Sequence, residues 1–221
     1  MSCRCSDGGS RLAWRCRYPA LTEMAARLDL HLAQAPAGSS GAYLSQLGRE
    51  LLSRLAAQHG FDCPLDGWSP RGSGPPKHPA LPSPWQASLS HRDGRVIAGL
   101  APLPIGIDLE HTRTRHARRL AALIDLLPEH EVRRSILLAS DSQAAFYRAW
   151  TLHEALYKLS SLQGEAPSSV FATRLQRLAP RGDAHAWLWQ TPNWTLAVTS
   201  FTEDLLIHTR PTLSLPKFIW A

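Results

Sequence analysis

The run Ile105-Gly106-Ile107-Asp108-Leu109-Glu110 alternates apolar residues with two carboxylates. A period of two is that of a β-strand, and it puts Asp108 and Glu110 on one face. Further along, Trp150-Thr151-Leu152-His153-Glu154-Ala155-Leu156-Tyr157-Lys158 has helical spacing, so Glu154 and Lys158, four apart, also share a face. If strand and helix pack together, three carboxylates and a lysine converge. That set suits a hard divalent cation and a polyphosphate. A buried structural ion pair between Glu154 and Lys158 is the competing reading of the same residues.

The surrounding pattern is that of an α+β chain. Thr22–Leu28 reads as a short helix after a first strand near Leu12–Trp14, and 35–41 as a loop of small residues. Leu44, Leu47, Leu51, Leu52 and Leu55 fall at helical spacing between Tyr43 and Gln58, with Gly60 as the stop; Arg49 and Arg54 lie near the polar side and are expected to be solvated. The Pro- and Gly-rich loop 69–84 holds Lys77 out on a stiffened segment. Ala87–His91 and Val96–Leu100 read as strands about an Asp93-Gly94 turn. Adjacent on a strand, Ser90 and His91 diverge, which disfavours a nucleophilic Ser–His pair and leaves phosphate binding open. Helices are expected into Leu127, over Glu129–Ala139 and over Gln143–Leu162, then a hairpin over Ala184–Thr199 and a strand at Leu205–His208. Helix followed by hairpin occurs in each half. Two similar α+β subdomains, 1–100 and 101–221, are therefore expected.

Composition narrows the partners. The chain of 221 residues carries a net charge of +6, which favours an anionic partner: nucleic acid, a phosphorylated cofactor or an acidic protein. It has no apolar run long enough for a membrane span, and Met1–Gly9 lacks a secretory apolar core, so cytoplasm is the expected setting. Cys3, Cys5, Cys16 and Cys63 fit no zinc spacing and are read as reduced thiols.

Taken together, Ser90-His91, Gly106-Ile107-Asp108-Leu109-Glu110 and Trp150–Lys158 resemble, in order and spacing, the three-part signature of the surfactin-type 4′-phosphopantetheinyl transferases. Gly74-Pro75-Pro76-Lys77-His78-Pro79 sits where that family has a glycine-lysine-proline element. The resemblance implies a pseudo-dimeric α+β fold with coenzyme A between the halves. The reaction it implies is Mg²⁺-dependent transfer of the phosphopantetheine arm to a serine of an acyl or peptidyl carrier protein, releasing 3′,5′-ADP. Asp108, Glu110 and Glu154 would hold Mg²⁺, and Glu154 would help to deprotonate the serine. Lys158 would offset charge on the leaving phosphate, and Lys77, Ser90, His91 and Lys158 would contact coenzyme A. Carrier proteins are acidic, so Arg113, Arg115, Arg118 and Arg119 fit electrostatic steering. No nucleic acid or membrane partner is expected, and the working unit is expected to be a monomer.

Two departures stand out. His153 occupies a position where the family usually has lysine, and Ala37–Leu47 holds no basic residue where the family often has some. Coenzyme A's 3′-phosphate is then gripped less tightly, or by Arg49 and Arg71. Two other functions compete: a carrier-binding homologue that has lost activity, and a metal nuclease, which the lack of an aromatic-basic platform disfavours.

Overall fold

The computed structural model describes residues 26–162, 164 and 167–220. The expected strand near Leu12–Trp14, the first residues of the expected helix at Thr22–Leu28, and Cys3, Cys5 and Cys16 lie outside them. The described strands are β1 (Ala26–Gln34), β2 (Gln86–Arg92), β3 (Arg95–Ala101), β4 (Ile105–His111), β5 (His185–Gln190), β6 (Trp194–Ser200), β7 (Leu205–Arg210) and β8 (Lys217–Phe218). The helices are α1 (Gly41–Gln58), α2 (Thr114–Ala117), α3 (Leu120–Asp125), α4 (His130–Leu138) and α5 (Ser142–Ser161). The fold is mixed α+β with two four-stranded sheets, ordered β2-β3-β1-β7 and β4-β6-β5-β8. All pairings are antiparallel except β1 with β7. Because β7 follows β4, β5 and β6 in the chain yet joins the first sheet, and β8 then returns to the second, the two sheets share chain as well as core.

Alternation builds the layers. On β3, Val96, Ala98 and Leu100 pack with Leu44, Leu51, Leu52 and Leu55 of α1, while Ile97 joins Leu28 and Leu30 of β1 against Ile105, Ile107 and Leu109 of β4. On β6, Leu196 and Val198 face that inter-sheet core, and Ala197 faces Leu152, Ala155, Leu156 and Leu159 of α5. The order of layers is α1, first sheet, second sheet, α5. Each fully buried leucine contributes about 2 kcal/mol through loss of water-exposed apolar surface.

Local signals account for the element ends. Ser40 caps α1 by accepting from the Tyr43 N–H at 3.2 Å, and the N–H groups of Gly60 and Phe61 close its other end on Ala57 and Ala56. Asp141 caps α5 through the Ala144 N–H at 2.9 Å. The β2–β3 turn needs a positive φ at both centres, met by Asp93 at 42° and Gly94 at 79°.

Two elements differ from expectation, and the first is at residues 26–28, which are strand, not helix. Leu28, Leu30 and Leu32 alternate with Asp29 and His31, and the strand lies between β3 and β7, so pairing across the sheet overrides the helix-forming preference of Ala, Arg and Leu. Buried Asp29 ties this strand to its neighbours, accepting from Arg27 at 2.6 Å and contacting His59 beyond α1 and His208 on β7, each at 3.0 Å. The basic helix expected into Leu127 is broken into α2 and α3 around Arg118 and Arg119. Cys63 is a buried free thiol. Among the described residues no helix is long and apolar enough to cross a membrane.

Candidate active site

The two sheets meet where edge strand β2 runs beside edge strand β4. An unpaired strand edge leaves backbone groups needing partners. Here side chains provide them: Ser88 Oγ accepts from the Ile107 N–H and Ser90 Oγ from the Leu109 N–H, both at 3.2 Å. Ser90 in turn donates to Asp108 Oδ1 at 2.9 Å, and Lys158 Nζ donates to that oxygen at 2.7 Å and to the Ile107 carbonyl at 2.9 Å. The carboxylate face of β4 looks onto α5, and Gly106 lets the helix come close. A Cβ at Gly106 would lie 1.9 Å from the Ala155 carbonyl oxygen.

Three elements therefore contribute side chains to one seam: β2 (Ser90, Arg92), β4 (Asp108, Glu110) and α5 (Trp150, Glu154, Lys158). At one end Glu110 accepts from the Trp150 indole N–H at 3.2 Å and pairs with Arg92 at 2.9 Å. Asp108 Oδ2 is buried with no hydrogen-bond partner, and buried Glu110 Oε2 has only its ion pair with Arg92 Nε, which is not an aligned hydrogen bond. Burial first, then the Asp108 charge, pushes the Glu110 carboxyl up to about 7 against the pull of Arg92. The same two causes raise Glu154, opposed by Lys158 and Arg92. Crowded carboxylates, one with an unpartnered oxygen, have the donor chemistry of a hard-cation site. Among the described residues, no group of three His, Cys, Asp or Glu side chains is arranged to hold a metal ion as it stands. Lys158 and Arg92 provide the positive charge beside Asp108 and Glu110.

That repulsion carries a pH signature. A carboxyl whose folded pKa is raised stabilises the fold below its unfolded value and loses that contribution as pH rises through the folded one. Unfolding free energy is thus expected to fall between about pH 4.5 and about pH 7, with Mg²⁺ restoring part of it at pH 8. Urea titrations with and without Mg²⁺ check this, and a profile flat with pH and indifferent to Mg²⁺ would contradict it.

At the Lys158 end the seam opens into a cavity of about 510 Å³. Its wall includes Ser45 and Arg49 of α1, Arg71 to Pro76 in part, Ser88 and His91 of β2, and Glu154, Tyr157, Lys158 and Ser161 of α5. Burial, then the nearby Arg71 and Lys158 charges, lowers the His91 pKa. Arg49 is not simply solvated: it donates to Ser45 Oγ at 2.6 Å and to the Ser69 carbonyl at 2.7 Å, tying α1 to the loop. Arg54 is exposed as expected. Residues 70–76 form a lobe closed at its neck by hydrogen bonds between Ser69 and Lys77.

The structure thus gathers Asp108, Glu110, Glu154, Lys158 and Ser90 along the seam and puts His91 on the cavity wall. Lys77 is apart from them: its backbone closes the neck and its exposed side chain is not among the cavity-lining groups. Sequence reasoning passed over Ser88, Arg92 and Trp150 as site residues. Ser88 could have been found from its spacing of two from Ser90, which repeats the spacing of Ile107 and Leu109. His153, unlike Glu154, points into the core and is 1% exposed.

Residues 104–199 match the 4′-phosphopantetheinyl transferase superfamily. That match supports the superfamily over the segment that carries β4, α5 and the β5–β6 hairpin, which is less than half of the chain. None of the curated proteins compared with the chain matches it. The phosphopantetheinyl transferase match includes Asp108, Glu110, Glu154 and Lys158, whereas Ser90, His91 and the 70–76 lobe lie before it.

Proposed function

We propose that the chain moves the 4′-phosphopantetheine arm of coenzyme A onto a serine of an acidic acyl or peptidyl carrier protein, in an Mg²⁺-dependent reaction that releases 3′,5′-ADP. The observation carrying this reading is the seam itself: Asp108 and Glu110 converge with Glu154 and Lys158, and the latter two also line a cavity flanked by Arg71 and His91. We read α1 with its sheet and α5 with its sheet as the halves of a pseudo-dimer divided near residue 101, with β7 returning to the first. The setting we propose is the cytoplasm and the working unit a monomer.

Asp108, Glu110 and Glu154 would hold Mg²⁺, and their raised or orphaned carboxyl groups fit it. Bound there, Mg²⁺ supplies charge neutralisation to the pyrophosphate of coenzyme A. The serine oxygen bonds to the phosphorus nearer the pantetheine, and the bond from that phosphorus to the oxygen of the adenosine 5′-phosphate breaks. Glu154 takes the serine proton, directly or through a water, and its raised pKa makes it a better base than a surface carboxylate. Lys158 exchanges part of its contact with Asp108 for the departing phosphate oxygen. His91, with Ser90 and Lys77 in supporting positions, meets the phosphates. Arg115, Arg118 and Arg119, exposed beside the Glu110 end, suit an acidic carrier.

The test is incubation with coenzyme A, Mg²⁺ and apo carrier proteins, read by intact mass. One phosphopantetheine should be added per carrier. Binding of carriers without any mass shift would instead mark an inactive homologue. Within that assay, Arg71→Ala is expected to raise the KM for coenzyme A about tenfold with little change in kcat, since a phosphate contact contributes roughly 1–2 kcal/mol. An unchanged KM would remove Arg71 from the cofactor grip.

A further inference from the structure

His153 is buried on the side of α5 away from the cavity, and its surroundings show what it holds. Its Nδ1 lies 3.1 Å from Thr173 Oγ1, and that hydroxyl also donates to the Val170 carbonyl at 2.5 Å. Its Nε2 makes no hydrogen bond and stands 3.6 Å from Glu129, a buried carboxylate that itself holds the following turn by accepting from the Leu175 N–H at 2.7 Å and the Gln176 N–H at 3.2 Å. The helical turn Val170–Ala172 is thereby pinned along α5. That turn carries Phe171, whose ring lies 5.8 Å from the ring of Trp150, tilted by 54°. Phe146 packs on Trp150 as well, at 6.4 Å. The indole so held is the one that donates to Glu110.

We propose that His153 is a positioning residue for Glu110: it clamps the 170–173 turn, Phe171 on that turn backs Trp150, and Trp150 fixes the Glu110 carboxylate. The chain of contacts runs through packed side chains and hydrogen bonds of stated geometry, each link a single side chain. A carboxylate on an edge strand has rotameric freedom, and a ring that cannot tilt removes it. This role rests on the proposed reaction only for its consequence in catalysis. The clamp itself is a property of the folded chain.

The direct readout is hydrogen exchange of the Trp150 indole N–H by nuclear magnetic resonance on the whole chain, its signal assigned with Trp150→Phe. His153→Leu should speed that exchange at least tenfold. His153→Asn, whose amide can occupy the place of Nδ1, should return it to within threefold of the parent. Phe171→Ala, at a half-exposed position, should speed it as His153→Leu does while the core stays intact, and Thr173→Val serves if His153→Leu does not fold. In the transfer assay, Phe171→Ala should lower kcat about tenfold with the KM for coenzyme A within twofold. Exchange within twofold of the parent in Phe171→Ala or in the His153 and Thr173 variants would overturn the clamp. A parent that transfers nothing but shows these exchange differences would overturn the proposed reaction and leave the clamp standing.

Discussion

Asp108→Asn is expected to lower phosphopantetheine transfer by about 10³-fold while leaving the fold as stable as before, or more so. The first half follows from what Asp108 joins. It takes the Ser90 hydroxyl at 2.9 Å and the Lys158 ammonium at 2.7 Å, and its other oxygen is buried without a partner. An amide of the same shape keeps the Ser90 contact and loses the charge needed for a hard cation, and losses of that size accompany removal of one preorganised electrostatic group. The second half follows from repulsion. The Asp108 charge is among the causes that raise both Glu110 and Glu154, so its removal relieves two unfavourable pairs. Against this stands the weakened hold on Lys158, which keeps the Ile107 carbonyl at 2.9 Å. These effects are of similar size, so the net change in stability should lie within about 1 kcal/mol at pH 8, above the Glu110 value of about 7. Carrier mass analysis gives the activity and urea denaturation the stability. Transfer within tenfold of the parent would remove Asp108 from the reaction, and a loss of several kcal/mol would make it a structural residue.

What could be read from the chain, and what could not, divides by the range of the interactions. The alternation in β4, the apolar spacing of α1 and α5 and the Asp93-Gly94 turn are each set by neighbours within a few residues, and each appears as a local period or turn signal. The start of β1, residues 26–28, reads locally as helix because the strand's partners are far away: Leu30 pairs with Gly99 on one side and Thr209 on the other. Site residues follow the same rule. Asp108 and Glu110 were legible as a pair on one face, and Glu154 with Lys158 as another. That Arg92 would stand against Glu110, or that Ser88 would accept from β4, depends on two sheet edges meeting, which no single segment encodes. Arg49 and Arg71 have the same composition signal, yet one is tied into the loop neck and the other is exposed on the cavity wall. His153 reads in sequence as a lost charge beside the catalytic groups. Its burial against Thr173 is set by a turn twenty residues on that carries no periodic mark.

Gly106→Ala should damage stability and transfer together, because the distance between β4 and α5 is set by the missing side chain. The added Cβ would lie 1.9 Å from the Ala155 carbonyl oxygen, 2.9 Å from its carbon and 2.6 Å from Thr199 Oγ1. The first two are backbone in the middle of α5, which cannot give way without moving the helix. Overpacking a filled interior costs about 1–3 kcal/mol when side chains absorb it, and the upper end or beyond is expected when backbone must. About 3 kcal/mol in a chain of this length corresponds to a fall in Tm of roughly 6–12 °C. Lifting α5 also draws Lys158 from Asp108 and the Ile107 carbonyl, so kcat should fall well beyond what partial unfolding explains. Gly99→Ala is the control. Its Cβ would meet Ile107 Cδ1 at 2.3 Å and Leu30 Cδ2 at 2.6 Å, both ends of flexible side chains on the inter-sheet face. It should cost stability, yet spare the Lys158–Asp108 contact and keep kcat near the parent value. Calorimetry and single-turnover transfer at a temperature where all three proteins are folded separate the outcomes. A Gly106→Ala protein that melts within 2 °C of the parent and transfers at its rate would mean that α5 does not depend on this close approach.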